Sequence, residues 1–427
     1  MKYRVGILIA LFFLLMSLKS EKRDFHVKSC FHSIDFSIVD SSFIDLEFLT
    51  KKLANIDIVF LSEGIHRYKE DGDSKLTMIK FLHEKMGYDL ILMEYSFYDL
   101  YGLNNAISIS GSFDDTLSKY LNKNMPNHIY NVFDYVHKRK VKGDEFDVGG
   151  IDIWLNGRSS RTSPFLFFPR NNTSYNDNKQ LSFLYENIYT KGNTEIDSVK
   201  RFALRYLHRR TYNNSFFASD SLNMLWKQIY DNLMVCMYYF NNSQNIGKSN
   251  LNRFVFGNSI IDHYKKRDSM MYRNFEYLKE HYPGRKIIIY ASTFHCRKST
   301  KPFLNQKKIG NDTKPLGQYI SEKYENSYHI AWIYNKVAKN YKNKSYFHRS
   351  SNSIETYLFK NRYRSGFIDL HELSQQGDSV FTMYPIWRFK NKGNWTDAID
   401  AVIYMDTARS INKYKDYGPY FDTTKYF

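Results

Sequence analysis

The sequence predicts an α/β fold in which a mostly parallel central sheet is flanked by helices. Short apolar, β-branched or aromatic runs recur along the chain, as expected of buried strands, at residues 56–61, 90–93, 148–153, 286–290, 328–334 and 401–405. Longer segments of helical character lie between these runs, and that alternation is typical of a parallel sheet with both faces covered. Several runs also end in acidic, hydroxyl or imidazole groups, as strands do when they line a crevice at their carboxyl ends.

A helix is predicted after the first run. Residues 74–86 carry Leu76, Ile79 and Leu82 at helical spacing, and Gly87 stands where such a helix would end. The chain of 427 residues is long enough to bury a large core around these elements.

Two stretches break the alternation of strands and helices. Residues 159–267 open with an Asn-rich polar loop and continue through helical segments, so we interpret them as a helical insertion over the active-site cleft. Residues 335–397 are polar and aromatic, and we expect them to form loops on the same rim.

The amino terminus has the pattern of a signal peptide. Lys2 and Arg4 precede an apolar stretch at residues 5–18, which is short for a membrane span and suits a secretory signal. We therefore predict a signal in residues 1–20, one domain over residues 21–427, and export to the periplasm or surface of a bacterium. An uncleaved amino-terminal anchor is the alternative, because Leu18-Lys19-Ser20 is a poor cleavage site.

Charge and cysteine content argue against two classes of protein, those that bind nucleic acid and those that disulfides hold together. The 61 Lys and Arg against 44 Asp and Glu give a net charge of +17, but the basic residues are spread along the chain, and export argues against a nucleic-acid partner. Cys30, Cys236 and Cys296 are widely spaced and odd in number, so no disulfide framework can hold the fold together.

The richest chemistry follows the first two predicted strands. Glu63 and His66 come at the end of the first run, and Glu94 closes the second. Adjacent parallel strands would direct all three toward one point, where a carboxylate beside an imidazole could activate water near neutral pH. We therefore predict a hydrolase. A structural alternative for His66 is a hydrogen bond to a loop carbonyl.

Two further runs lead toward the same place. Residues 286–290 continue into Ser292 and His295, which add a hydroxyl and an imidazole beyond a strand. Asp152 lies within residues 148–153 and could orient a histidine or cap a helix.

Other catalytic signatures are absent from the sequence. It has no Gly-x-Ser-x-Gly elbow, which argues against a serine-nucleophile hydrolase. His83-Glu84 and His371-Glu372 both lack the second histidine of a zinc-protease helix.

The order of these motifs resembles that of the erythromycin esterase-like hydrolases over about residues 50–410. The resemblance implies an α/β core, a helical part over a deep cleft, and addition of water to an ester or macrolide lactone. It also implies that His66 is the base that activates water, with Glu63 and Glu94 as its glutamates. The matching segments are Glu63-Gly64-Ile65-His66, Glu70, Glu94, Ile151-Asp152-Ile153, Arg267-Asp268-Ser269-Met270-Met271-Tyr272-Arg273-Asn274, His295 and Leu316-Gly317-Gln318-Tyr319-Ile320.

Three positions depart from the family pattern. Lys75 stands where the family usually has arginine, and lysine lacks the two-pronged donor geometry of a guanidinium. Ser292 replaces the first histidine of an Ala-His-Asn-x-His motif, and a serine cannot exchange protons at neutral pH as an imidazole does. Asp71-Gly72-Asp73 occupies positions where the family tends to have aromatic residues. The resemblance therefore implies the type of reaction but does not identify the substrate.

The predicted mechanism needs no covalent intermediate and no cofactor. His66, held by Glu63 or Glu94, takes a proton from water as the water attacks the ester of a small molecule or macrolide. His295, Ser292 and Lys75 stabilise the oxyanion or protonate the leaving group. Lys75, Ser292 and Asp152 are the predicted substrate-binding residues.

Two alternatives follow from the same residues. Glu63, His66, Glu94 and His295 are acceptable ligands for a divalent metal, which would make the protein a metal-dependent hydrolase. A non-catalytic exported protein could instead use the same scaffold to bind a glycan or an apolar ligand, and Ser292 is the residue that favours this reading.

Overall fold

A computed structural model describes residues 25–36, 43–64, 68–107, 113, 116–117, 127–153, 198–213, 219–244, 258–301, 313–338, 346–386 and 389–409. Its strands are β1 (Phe31–Ser33), β2 (Ile58–Glu63), β3 (Tyr88–Ser96), β4 (Asp147–Asp152), β5 (Lys286–Ser292), β6 (Ser327–Ala338), β7 (Tyr346–His348), β8 (Ser365–Asp369), β9 (Val380–Ile386), β10 (Phe389–Asn394) and β11 (Ala401–Ala408). Its α-helices are α1 (Phe48–Lys52), α2 (Lys69–Met86), α3 (Phe97–Ala106), α4 (Asn127–Val141), α5 (Ser198–Tyr212), α6 (Asp220–Gln244), α7 (Asn258–His281), α8 (Thr293–Cys296), α9 (Leu316–Lys323), α10 (Ile354–Lys360) and α11 (Leu370–Gln375).

Nine of the strands form one sheet in the order β1-β8-β11-β6-β2-β5-β3-β4, with β7 paired to β6. The six strands from β11 to β4 in that order are mutually parallel. Strands β8 and β1 extend the sheet beyond β11 in antiparallel pairings. Each of the six apolar runs in the sequence became one of the six parallel strands, so the predicted α/β class with its mostly parallel sheet is confirmed.

Successive residues of the central strands pack into different cores. In β2, Val59 and Leu61 join the cluster that contains α2 and α4, whereas Ile58 and Phe60 join the cluster that contains α3, α6 and α7. Because side chains alternate across a strand, apolar residues at every position require helices on both faces of the sheet. A third cluster surrounds β8, β9 and β11.

The predicted helix at residues 74–86 is the carboxyl part of α2. Its apolar face, which includes Met78, Ile79 and Leu82, is fully buried against the sheet. Gly87 ends the helix at φ 73°, where glycine is favoured, and its N–H donates to the carbonyls of Leu82 and His83. The helix begins earlier than predicted, at Lys69, and this adds Asp71 to the same element.

The expectation of loops at residues 335–397 is wrong. This stretch contains the end of β6, all of β7 to β10 and the helices α10 and α11. The strands are short, and β8 gains its order from antiparallel pairing with β11, which local hydrophobic periodicity does not report.

Within the described part of residues 159–267, the chain is helical in α5, α6 and the first part of α7. That these helices cover the cleft as an insertion stays a prediction. Residues 1–20 lie outside the described residues, and among those described no helix has the length and apolar character needed to cross a bilayer.

A buried histidine within β6, in register with Phe60 of β2, should make stability depend on pH. His329 stacks on Phe60 at 3.9 Å between ring centroids, its Nδ1 lies 2.5 Å from the Cys296 carbonyl, and its Nε2 lies 2.8 Å from Ser321 Oγ. Burial lowers the pKa of His329 to about 4, although Asp400 opposes the shift. In the unfolded chain the His329 imidazole has its ordinary pKa of about 6.5, so it binds a proton at higher pH than it does in the folded protein. Lowering the pH through this range therefore favours unfolding.

We expect the free energy of unfolding to fall by about 2 kcal/mol between pH 7 and pH 5 through His329 alone. Urea denaturation at both pH values, in the unaltered protein and in His329→Asn, measures this contribution, and equal pH dependence in the two would contradict it. His371→Asn is the matched control. Asp400 raises the pKa of His371, so loss of that histidine should steepen the acid dependence.

Candidate active site

The polar residues predicted to act together lie at the carboxyl edge of four adjacent parallel strands. Glu63 ends β2 and pairs in register with Ser292, which ends β5. Glu94 lies near the end of β3, and Asp152 ends β4. The order β2-β5-β3-β4 therefore brings these side chains to one edge of the sheet. His66, the predicted base, lies outside the described residues.

A buried ion cluster forms around Glu63. Lys75 Nζ donates to Glu63 Oε2 at 2.9 Å and lies at the same distance from Asp71 Oδ2. The lysine side chain is fully buried, because α2 follows β2 and packs against the sheet. Any influence of Lys75 on a substrate must therefore run through Glu63, since its ammonium is enclosed by protein.

Aromatic side chains from β5 and β6 close this cluster. Lys75 Nζ lies 4.5 Å from the ring centroid of Tyr290 and 5.2 Å from that of Trp332. The faces of these rings therefore add to the carboxylates in stabilising the positive charge of the lysine. The Tyr290 hydroxyl donates to Glu63 Oε2 at 3.4 Å, and the Tyr334 hydroxyl donates to Asp71 Oδ1.

Burial shapes the protonation of the cluster. Burial raises the pKa of Asp71 to about 7; Lys75 opposes that shift and Glu63 adds to it. Burial by itself would lower the pKa of Lys75, but the charges of Asp71 and Glu63 outweigh it and raise that pKa.

A second cluster forms around Arg267 of α7. Its Nε and Nη2 donate to the two carboxylate oxygens of Asp152 at 2.9 and 2.6 Å, and Nη2 also donates to Glu94 Oε1 at 2.8 Å. The two-pronged geometry matches a guanidinium to a carboxylate. The Asp152 carboxylate is thereby engaged with Arg267 and with the N–H of Ile153.

His295 lies between two carboxylates. Its Nδ1 lies 2.8 Å from Asp268 Oδ1, and its Nε2 lies 3.4 Å from Glu94 Oε1. Asp268 Oδ1 also accepts the N–H of Leu316 at 2.9 Å, which fixes that carboxylate at the start of α9. A histidine held at one nitrogen by a buried carboxylate presents its other nitrogen in a defined orientation.

Close backbone contact makes this arrangement possible. A Cβ at Gly317 would lie 2.2 Å from the carbonyl oxygen of Cys296, so only glycine lets α9 approach the residues after His295. The resulting contact puts the Leu316 N–H against Asp268.

Ser292 connects the two clusters through its backbone. Its N–H donates to Glu94 Oε2 at 2.8 Å, and its register partner on β2 is Glu63. The Ser292 hydroxyl does not cap α8, although the residue occupies the amino-terminal cap position.

The structure thus brings together six of the predicted residues, Glu63, Glu94, Asp152, Ser292, His295 and Lys75. Sequence reasoning missed Asp71, Arg267, Asp268, Tyr290 and Tyr334 as members of the site. Asp71 and Lys75 are four residues apart on one helix, a spacing typical of ion pairs, and this signal could have found the pair. The adjacent charges of Arg267 and Asp268, just before the apolar Met270 and Met271, indicated these two site residues less strongly.

Three of the four predicted metal ligands, Glu63, Glu94 and His295, have described positions, and their surroundings do not suit a metal ion. Lys75 already neutralises Glu63, and Arg267 already neutralises Glu94. Among the residues with described positions, no group of three or more His, Cys, Asp or Glu side chains is arranged to hold a metal. The metal alternative therefore gains no support from this part of the chain.

The two cysteines whose side chains are described are buried free thiols. Burial raises the pKa of Cys30 to about 11 and that of Cys296 well above its usual range. Neither thiol is a nucleophile at neutral pH, although Cys296 follows His295 directly.

No family model matches the chain. At the level of sequence, the chain is 25% identical to the protein named "Putative hydrolase YbfO" from Bacillus subtilis, over 71% of this chain and 70% of that protein.

Solved structures share the fold at low sequence identity. A succinoglycan biosynthesis protein superposes with a TM-score of 0.66 at 14% identity, covering 90% of this chain and 96% of the other. A mutant of the erythromycin esterase EreC in its open conformation superposes with a TM-score of 0.60 at 15% identity, covering 86% and 95%. The resemblance to erythromycin esterase-like proteins is thereby confirmed, and the fold is the property that these structures share with this chain.

Proposed function

We propose that the protein is an esterase that adds water to a carboxylic ester or lactone of a small molecule, with His66 as the base. The observation that carries this proposal is the convergence of Glu63, Glu94 and His295 at the carboxyl edge of parallel strands, which is where such sheets bind ligands. His295 is already held by Asp268 in the way that general acid–base histidines are held.

The proposed division of labour follows from position in the sequence and from contacts. His66 takes the proton of the attacking water, and Glu63 or Glu94 supports the protonated imidazole. His295 donates to the oxyanion or the leaving oxygen from Nε2, which lies 3.4 Å from Glu94 Oε1. The Ser292 hydroxyl can donate a hydrogen bond to the substrate.

The comparisons support the reaction class. One relative carries a hydrolase name, and one structure with this fold is an erythromycin esterase. We extend the proposal to macrolide lactones as the first substrates to test, to macrolide resistance in cells, and to export by the signal predicted in residues 1–20.

The His66→Ala variant tests the proposal. Purified protein from Glu21 onward is incubated with erythromycin, other macrolides and a panel of alkyl and nitrophenyl esters, and products are identified by mass spectrometry. We expect a product heavier by one water, and a rate about 10²- to 10⁴-fold lower in His66→Ala because the general base is lost.

His371→Ala is the matched control, since His371 contacts Asp400 at the opposite edge of the sheet. It should keep full activity. Full activity in His66→Ala would overturn the proposed mechanism. No product from any ester, together with ligand binding that His66→Ala leaves intact, would favour the binding-protein alternative that Ser292 suggests.

A further inference from the structure

Among the residues with described positions, the cluster around Lys75 contains two carboxyl groups and one positive charge. Glu63 Oε2 and Asp71 Oδ2 each lie 2.9 Å from the same nitrogen, so these two oxygens are no more than about 6 Å apart. Both carboxyl groups are buried, with Glu63 6% and Asp71 1% exposed. Two carboxylates at this separation in a low-dielectric site repel each other, and one lysine compensates only one of them.

Within the described part of the chain, three further neighbours of the pair are side chains that are uncharged at neutral pH. Tyr334 donates to Asp71 and Tyr290 donates to Glu63, while the Cys296 thiol also lies within electrostatic range of Glu63. Farther out, the Tyr95 side chain lies within electrostatic range of Tyr290, and Arg349 Nε donates to the backbone carbonyl of Tyr334. Lys75 is therefore the cation in direct contact with the pair among the described residues.

One oxygen of the pair lacks a well-aligned donor. Asp71 Oδ2 is buried and makes no hydrogen bond of good geometry, although Lys75 lies close to it. A proton on this carboxyl group would both satisfy the oxygen and remove the repulsion from Glu63.

We propose that Glu63 and Asp71 hold one exchangeable proton between them, and that Glu63 passes this proton to the leaving oxygen. In this arrangement Glu94 supports the protonated His66, and His295 stabilises the oxyanion. Glu63 is the donor because it ends β2 beside Ser292 at the carboxyl edge of the sheet, whereas Asp71 lies within α2 and its carboxyl group faces Tyr334 of β6. Asp71 is then a positioning residue that stores the proton. This step rests on the proposed esterase activity.

The proton balance of the step is complete. His66 accepts one proton from water as the oxygen of that water bonds to the carbonyl carbon. The carbon–oxygen bond to the leaving group then breaks, and the leaving oxygen takes the proton of the Glu63–Asp71 pair. The proton on His66 then returns to the pair, directly or by exchange with solvent, so the pair is restored and the net reaction adds one water.

The raised pKa of Asp71, about 7, is consistent with this pair. A carboxyl group shifted upward is protonated below that value and loses its proton as the pH rises through it. Activity that depends on the stored proton should therefore fall as the pH rises above about 7.

Two measurements on the full mature chain test the pair. Infrared difference spectroscopy across pH 5 to pH 9 detects a protonated carboxylic acid without requiring turnover. We expect an acid band that titrates near pH 7 in the unaltered protein and is missing in Asp71→Asn. In Tyr334→Phe the band should titrate at higher pH, because the Tyr334 hydroxyl stabilises the ionised form of Asp71.

The second measurement compares leaving groups. Asp71→Asn should lower kcat about 10²-fold on an alkyl ester, whose leaving group needs a proton, and change it little on a nitrophenyl ester, whose leaving group does not. Asp73→Asn is the control, because Asp73 lies on the same helix and pairs with exposed Lys69. This variant should keep both the acid band and both rates.

The outcomes separate the pair from the esterase activity. An acid band that Asp71→Asn removes, without turnover of any ester, would retain the shared proton and discard the proposed function. Absence of the band in the unaltered protein, or equal losses on both esters, would overturn the stored proton. If Asp71→Asn does not fold, the Tyr334→Phe variant provides the test. An acid band that titrates at the same pH in Tyr334→Phe as in the unaltered protein would overturn the stored proton.

Discussion

Replacing Asp268 by asparagine is expected to lower kcat on the ester substrate by about 10²-fold or more while KM stays nearly unchanged. Asparagine can occupy the same space, and its oxygen can still accept hydrogen bonds from Leu316 N and His295 Nδ1. What it lacks is the negative charge that stabilises His295 once it is protonated. The loss should therefore fall on the transition state, and steady-state kinetics separate this from weaker substrate binding.

A double-mutant cycle shows whether Asp268 acts through His295. His295→Gln alone and the double variant with Asp268→Asn should have similar rates, because the second change removes a partner that no longer has a function. Multiplicative losses in the double variant would contradict this coupling. Asp231→Asn is the matched control: it neutralises a carboxylate that contacts Arg273 and Tyr212, and it should leave both kcat and KM unchanged.

Replacing Arg267 by methionine is expected to reduce the free energy of unfolding by about 3–5 kcal/mol. The guanidinium joins Asp152 and Glu94, whose side chains are 4% and 14% exposed, and its removal leaves two carboxylates with little solvent and no bound cation at that position. Urea denaturation at pH 7 measures the loss.

Arg273→Met provides the comparison on the same helix. Arg273 also binds a buried carboxylate, that of Asp231, but its own side chain is 53% exposed, so we expect a cost of about 1 kcal/mol or less. Adding Glu94→Gln and Asp152→Asn to Arg267→Met should recover part of the stability, because the uncompensated charges are then absent. Equal effects of the two arginine replacements would show that burial of the Arg267 cluster is not the cause.

Much of the site could be predicted because it follows strands. Glu63, Glu94, Asp152 and Ser292 each come at or near the end of an apolar run, and parallel strands bring their carboxyl ends to the same edge. The interactions that set their charge could not be predicted in this way. Asp268 reaches His295 from α7, and their separation of 27 residues leaves no periodic pattern in the sequence.

The sequence by itself determined the α/β class and the six parallel strands, because continuous apolar runs are stable only when both faces of a sheet are covered. It also determined which polar residues lie at or near the carboxyl ends of β2 to β5. Only the tertiary structure decided the antiparallel strands β8 and β1, whose order comes from pairing with distant neighbours. It alone decided that Lys75 contacts both Glu63 and Asp71 within the protein, since the packing of α2 against β5 and β6 removes that ammonium from water.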